Sequence, residues 1–279
     1  MFERIAAASF GQVFHLEKIH VNSVLEYVRH SVSQRKVHIL YEVREFGQAH
    51  TTLIPVDAYF SELTLSLSGE REDGEFLQIT LVDPKNETVG TGGSYEHMDG
   101  EIDLQSVKLL RIKDPLPGVW RVRTTSRQKH TLRVFGHGNI DFRYGFASRP
   151  VSNIDMAHPR PIAGQTTFLL VNMSGLNVPG SVYQISLVDY HGKELYRNET
   201  SGPHPSNPNL YFVGPFIPPK GFFFVRVNGE DEQNYEFLRI SPTATSTVEA
   251  VGPRAYMADR ITVTAYQPYN LSCSIEAQG

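Results

Sequence analysis

The sequence predicts a mainly β protein, built as two consecutive β-sandwiches behind a short strand-then-helix segment. Three observations carry this. From about residue 50 onward apolar residues recur at every second position in short runs, and clusters of Gly, Pro, Asn and Asp separate those runs. Only the first forty or so residues show a helical period instead. A chain of 279 residues is also long enough for two compact domains, each able to bury a core without disulfide or metal staples.

Taken in order, Phe10–Leu16 reads as a short buried strand, and Val21, Val24, Leu25, Val28 and Val32 then fall on one helix face. Such a stripe needs a partner surface larger than one strand, so residues 1–43 read as the remnant of a larger domain. Next, Leu63, Leu65 and Leu67 alternate with polar residues, Glu70–Gly74 is turn-like, and Leu77, Ile79 and Leu81 alternate again. That pattern predicts a β-hairpin. Strands at Trp120–Val122, Leu132–Val134 and Ile140–Phe146, punctuated by Pro115, Pro117, Gly118, Gly136 and Gly138, complete a first sandwich over 44–148.

After a proline-containing joint from Arg149 to Pro161, further strands are predicted at Phe168–Val171, Val182–Val188, Phe222–Val227 and Tyr235–Ile240. The last two flank a turn at Asn228–Glu232, and the set forms a second sandwich over 149–242. Ser241–Thr247 has the small polar composition of an extended linker, and Ile261–Val263 and Leu271–Ile275 read as strands beyond it. Residues 243–279 are therefore expected to be a linker and the truncated start of a further domain.

Charged residues make up 20% of the chain and the formal net charge is −4, which gives no broad positive field for nucleic acid or anionic lipid. No run approaches 18 apolar residues, so no membrane-spanning helix is expected. Met1–Phe10 lacks the basic start and continuous apolar core of a signal peptide, so this chain alone is expected to carry no export signal. Its one cysteine, Cys273, has no partner within the chain and reads as a free or buried thiol.

No catalytic, metal-ligating or cofactor-binding constellation is predicted. Gly90–Ser94 lacks the Gly-x-Ser-x-Gly elbow and reads as a flexible loop. The 11 histidines show no ligand spacing, and Glu96, Asp99, Glu101 and Asp103 do not follow a calcium-loop order, so they read as a solvated acidic turn. Trp120 and Tyr95 could stack on a sugar if exposed, but Trp120 shares a strand face with Val122 and reads as core. Ile140, Phe142, Tyr144 and Phe146 read as a core-facing row. N-x-S/T sequons occur at Asn86, Asn172, Asn198 and Asn270, with Asn86 and Asn198 in turn-like contexts where a glycan has room.

Several stretches together resemble the hemicentin family: Val13–Lys18 with the following helix and Lys36–Leu40, then Leu63–Gly69, Pro117–Trp120, and above all Asn139–Phe146. The resemblance runs through nearly the whole chain in the family's order. It implies the end of a von Willebrand factor A domain, a galactose-binding-like sandwich, an immunoglobulin-like sandwich and the opening of an immunoglobulin repeat. In that frame Cys273 is half of an intersheet disulfide whose partner lies outside the chain. The family's Asp-x-Ser-x-Ser metal loop does not occur in this sequence. The implied role is a non-catalytic structural and adhesive segment of a secreted matrix protein at basement membranes, part of a longer parent chain. Its implied partners are matrix or cell-surface proteins, with self-association and glycans as further candidates. A carbohydrate-binding module on the first sandwich is the alternative.

Overall fold

A computed structural model of the protein describes residues 2–32, 36–90 and 96–250. Two helices, α1 (Phe2–Ala8) and α2 (Val21–Val32), come first. The next nine strands are β1 (Val37–Arg44), β2 (His50–Val56), β3 (Glu62–Gly69), β4 (Gln78–Val82), β5 (Thr88–Gly90), β6 (Met98–Asp103), β7 (Val107–Lys113), β8 (Gly118–Thr125) and β9 (His130–His137). Then follow β10 (Asp141–Ala147), β11 (Thr167–Ser174), β12 (Ser181–Val188), β13 (Glu194–Glu199), β14 (Leu210–Phe216), β15 (Phe224–Glu230) and β16 (Glu236–Ile240). The mainly β, two-sandwich reading holds.

The two sandwiches share one sheet. A nine-stranded sheet runs β13-β12-β15-β16-β1-β9-β3-β7-β6, and two smaller sheets, β2-β8-β4-β5 and β10-β11-β14, cover one half each. The first core lies under the four-stranded sheet, where Leu63, Leu65 and Leu67 face Ile79, Leu81, Trp120 and Val122, all 4% exposed or less. In the second, Phe146, Leu169 and Val171 pack against Ile185, Leu187, Val225, Val227 and Phe237. The strands of this half separate as three plus four, β10-β11-β14 against β16-β15-β12-β13, an immunoglobulin-like arrangement. Alternate residues point inward along each strand, so the period-two apolar runs convert directly into these cores.

Four local expectations are corrected. First, β3 and β4 do not form a hairpin: β3 pairs with β7 and β9, and β4 with β5 and β8. The connection between them crosses from one sheet to the other. There Gly74 adopts φ 50°, and the buried Asp73 carboxylate accepts from Arg127 N at 2.7 Å and Ser126 Oγ at 2.5 Å. Period-two alternation is the same for a hairpin and for such an arch, which is why the pattern misled. Second, residues 11–17 are extended but join no sheet, and the unanticipated α1 precedes them.

Third, β10, which its spacing grouped with the first strands, pairs with β11 along its length and packs in the second core. Fourth, β15 continues to Glu230 and its turn to β16 is built around Asp231, whose Oδ1 accepts from Gln233 N at 2.8 Å and Tyr235 N at 2.9 Å. The stretch after β16 is extended and docked: Thr245 bridges Phe223, and Arg160 donates to Ser246 O at 2.9 Å and Thr247 O at 2.9 Å. Among the described residues no helix is long and apolar enough to cross a membrane.

Candidate functional site

The chemistry of this chain concentrates where the two sandwiches meet. Strand β1 lies at the middle of the shared sheet, bonded to β9 along its length and to β16 at His38–Ile240. A one-bridge seam of this kind needs further ties, and they come from side chains at the ends of the strands. Arg239 lies two residues after Phe237, so strand alternation turns it toward the interior, where it is fully buried.

Its guanidinium pairs with the Asp57 carboxylate at the end of β2, and both side chains are 0% exposed. The other two nitrogens also donate: Arg239 Nε to Ile140 O at 2.7 Å and Nη1 to Leu238 O at 2.9 Å. The guanidinium carbon also stands 4.8 Å from the centre of the Phe60 ring. Asp57 Oδ1 accepts from Tyr59 N at 3.1 Å, Asp231 Oδ2 accepts from Ala58 N at 2.9 Å, and Tyr59 Oη donates to Glu232. One network therefore joins loop 57–60 of the first sandwich, the β9–β10 crossover and the β15–β16 turn of the second. A buried pair of this kind is stable only when additional hydrogen bonds support it, and here each nitrogen of Arg239 and each carboxylate oxygen of Asp57 has a partner.

On the outer face the N-terminal segment straddles the same seam. Phe10, 1% exposed, sits against Tyr41 and Val43 of β1 and Val188, Phe224 and Ile240 of the second sandwich. Its ring centre lies 4.2 Å from that of His38. Gln12 Nε2 donates to Ser66 O at 2.9 Å and Thr131 O at 3.1 Å, and Ala244 N donates to Ala8 O at 2.9 Å. Further along, Val24 of α2 packs with Leu109 and Phe135. Between this segment and the sheet lies a cavity of about 990 Å³, lined by Ala7, Val13, Tyr41, Phe224 and His130 among others.

Beside it, the turn between β12 and β13 docks on β1: Val43 N donates to Tyr190 O at 3.0 Å, and His191 Nδ1 lies 3.0 Å from Val43 O. His50, His130 and His191 meet Arg44 there around a cleft of about 320 Å³. Burial, reinforced by Arg44, lowers the His50 pKa, and burial lowers that of His130. His38 is pushed down to about 3 by burial, with Arg133 and Lys36 adding to the effect.

The sites expected from sequence fall elsewhere. Asn86 is exposed at the tip of the β4–β5 turn with φ 68°, its Oδ1 accepting from Arg121 at 2.6 Å. Asn198 is exposed on the edge strand β13, and Asn172 is half-buried on the central strand β11. Asn270, Cys273, Tyr95 and Ser94 lie outside the described residues. Trp120 is 0% exposed with its Nε1 donating to Leu116 O at 2.8 Å, so it is core and offers no ring to a sugar. Asp99 and Asp103 lie on β6 and pair with Arg111 and Lys108 of β7, a solvated, charge-paired edge strand in place of the expected turn.

Sequence reading missed Arg239, Asp57 and Phe10. The available signal was Arg239 in phase with Phe237: a cation on the core face of a strand demands a buried partner.

Comparison with known proteins agrees with the resemblance. Residues 36–139 match the family model described as hemicentin galactose-binding domain-like. The chain is 32% identical to human Hemicentin-1 over 279 residues, 99% of this chain and 5% of that protein. Mouse Hemicentin-1 and Hemicentin-2 align at 32% identity over the same share of each. The chain thus spans about 5% of the length of the curated relatives it matches. The chain is hemicentin-like over 99% of its length, and its first sandwich matches the hemicentin galactose-binding-like family model.

Proposed function

We propose that this chain is a stiff, non-catalytic segment of an extracellular matrix protein, which fixes the spacing and orientation of neighbouring domains and supports attachment between cells and matrix. The observation that carries this reading is the joint: two sandwiches share one sheet and are tied by the buried Arg239–Asp57 network. Adjoining domains joined only by a linker move independently, whereas a shared sheet and a buried ion pair hold one geometry. The hemicentin-like sequence supplies the extracellular setting.

Within this reading the end of a von Willebrand factor A domain lies in the part of residues 1–43 that precedes β1; the expected boundary at residue 43 is too late, because Val37–Arg44 is the middle strand of the shared sheet and residues 36–139 match the galactose-binding-like family model. The exposed Val21, Leu25 and Val28, one stripe of α2, are what a helix belonging to a larger body presents. Residues 243–279 contain the start of an immunoglobulin repeat, with Cys273 bridging to a later cysteine. Asn86 and Asn198 carry glycans. The sugar-stacking alternative loses its main support with Trp120 buried.

The test is to secrete the chain behind an export signal and coat it as a substrate. Binding of solubilised basement-membrane proteins or attachment of cells supports the adhesive role. A folded, secreted chain that does neither overturns it.

A further inference from the structure

The geometry points to the outer face of the four-stranded sheet as a docking surface for a sulfated polysaccharide. Residues 115–140 hold Arg121, Arg123, Arg127, Lys129 and Arg133 and no Asp or Glu, an island of positive charge in a chain of net charge −4. Strand alternation sorts this island. Trp120, Val122 and Thr124 point inward and are buried, while Arg121 and Arg123 point outward and are exposed. Residues two apart on a strand stand about 7 Å apart, so the two guanidinia form a short row.

The register fixes what surrounds them. Arg121 lies between Leu53 of β2 and Val82 of β4, and Arg123 between Thr51 and Thr80. Toward the end of the sheet Thr125 is opposite Gln78, and beyond it Arg127 stacks over the Phe76 ring at 3.1 Å. No carboxylate occupies any of these outward positions. Acids lie at the margins: Glu72, the buried Asp73 and Glu75 on the turn before β4, and the buried Asp83 and exposed Glu87 on the β4–β5 turn. Arg121 is bonded to the neutral Asn86 oxygen, and neither Arg121 nor Arg123 is in an ion pair among the described residues.

This is an open face. The outer side of the shared sheet is covered by the N-terminal segment, but nothing among the described residues covers β2-β8-β4-β5. Peptides that add a strand need a free sheet edge and helical ones need a groove, and the middle of a sheet offers neither; an acidic peptide on the Arg row is the rival that the polyglutamate competition below distinguishes. A row of two guanidinia, with Leu53 and Val82 beside Arg121 and Thr51 and Thr80 beside Arg123, suits a stiff polyanion instead, with bidentate donors for sulfate oxygens and the hydroxyls and the Gln78 amide for sugar hydroxyls. The surface reads charge, in contrast to the aromatic stacking that Trp120 would have supplied, and it does not depend on the structural role proposed above.

The experiment is retention of the full chain on immobilised heparin, with a salt gradient. The wild type is retained at low salt and released as screening rises. The Arg121→Glu/Arg123→Glu variant binds at least about tenfold more weakly, since each charge-assisted contact is worth about tenfold, and it keeps the wild-type melting temperature. Arg121→Gln/Arg123→Gln falls between, which guards against a folding defect in the reversal. A Lys193→Glu/Lys220→Glu control in the second sandwich binds as the wild type. Failure of the wild type to bind, equal binding to desulfated heparin, equal loss in the control, or competition by polyglutamate as effective as by heparin would each overturn the proposal; the last would mark an acidic-peptide surface.

Discussion

Arg239 and Asp57 come from different sandwiches, 182 positions apart in sequence, and form an ion pair in which neither side chain is exposed. Arg239 is also bonded to Ile140 O, in the crossover between the two halves. Removing one partner leaves an uncompensated buried charge, which typically costs about 3–5 kcal/mol. Arg239→Ala and Asp57→Ala should each lower the unfolding free energy measured in urea by an amount of that order. The double variant should cost less than the sum of the two, because the residues share one interaction. Additive losses would show that they do not act as a pair.

Trp120 should report burial. It is the one tryptophan in the chain, so intrinsic emission reads its site alone. Blue-shifted emission resistant to iodide quenching is expected, lost on unfolding. Trp120→Ala should destabilise by about 3–5 kcal/mol through the cavity it leaves. Red-shifted, readily quenched emission in the folded protein would place the ring in solvent.

Stability should fall on mild acidification. Burial, with Arg133 and Lys36 adding to it, pushes the His38 pKa in the folded chain down to about 3, well below the ordinary value of 6.5. As pH drops below 6.5 the unfolded chain gains a proton on His38 that the folded chain refuses, so unfolding is favoured. The loss continues down to about pH 3. His50 and His130 are shifted in the same direction. A single such group contributes up to about 1.4 kcal/mol per pH unit. His38→Phe should reduce the slope of stability against pH between 6 and 4 by up to one proton; an unchanged slope would show that His38 is protonated in the folded state.

Glycan occupancy should follow exposure. In a secreting cell line Asn86, at the β4–β5 tip, and Asn198, on edge strand β13, are expected to be modified, and the half-buried Asn172 on a central strand much less. Site-resolved glycopeptide mass spectrometry measures this, and high occupancy at Asn172 with none at Asn86 would contradict it.

Much of the fold was legible because period-two alternation is a direct image of burial in a sandwich: Leu63, Leu65 and Leu67 were read as one face and are one face. The core row Ile140–Phe146 and the β15–β16 hairpin followed for the same reason. What alternation cannot convey is which strands pair. It made an arch between β3 and β4 look like a hairpin and left β10 in the wrong sandwich. The joint was harder still, because Asp57 and Arg239 are ordinary polar residues until the fold brings them together. Phe10 was read as part of a strand, but it is a lone side chain at φ 55° inserted over the seam.

The most direct measurement is the unfolding of the intact chain in urea, followed at once by Trp120 fluorescence and by hydrogen exchange of the β11, β12 and β15 amides. Trp120 reports the first sandwich, and those amides lie in the second. If the shared sheet and the Arg239–Asp57 joint make one cooperative body, the two transitions coincide, and they separate in Arg239→Ala. Two well-separated transitions in the wild type would show that the sandwiches are independent beads and that the joint does not hold them.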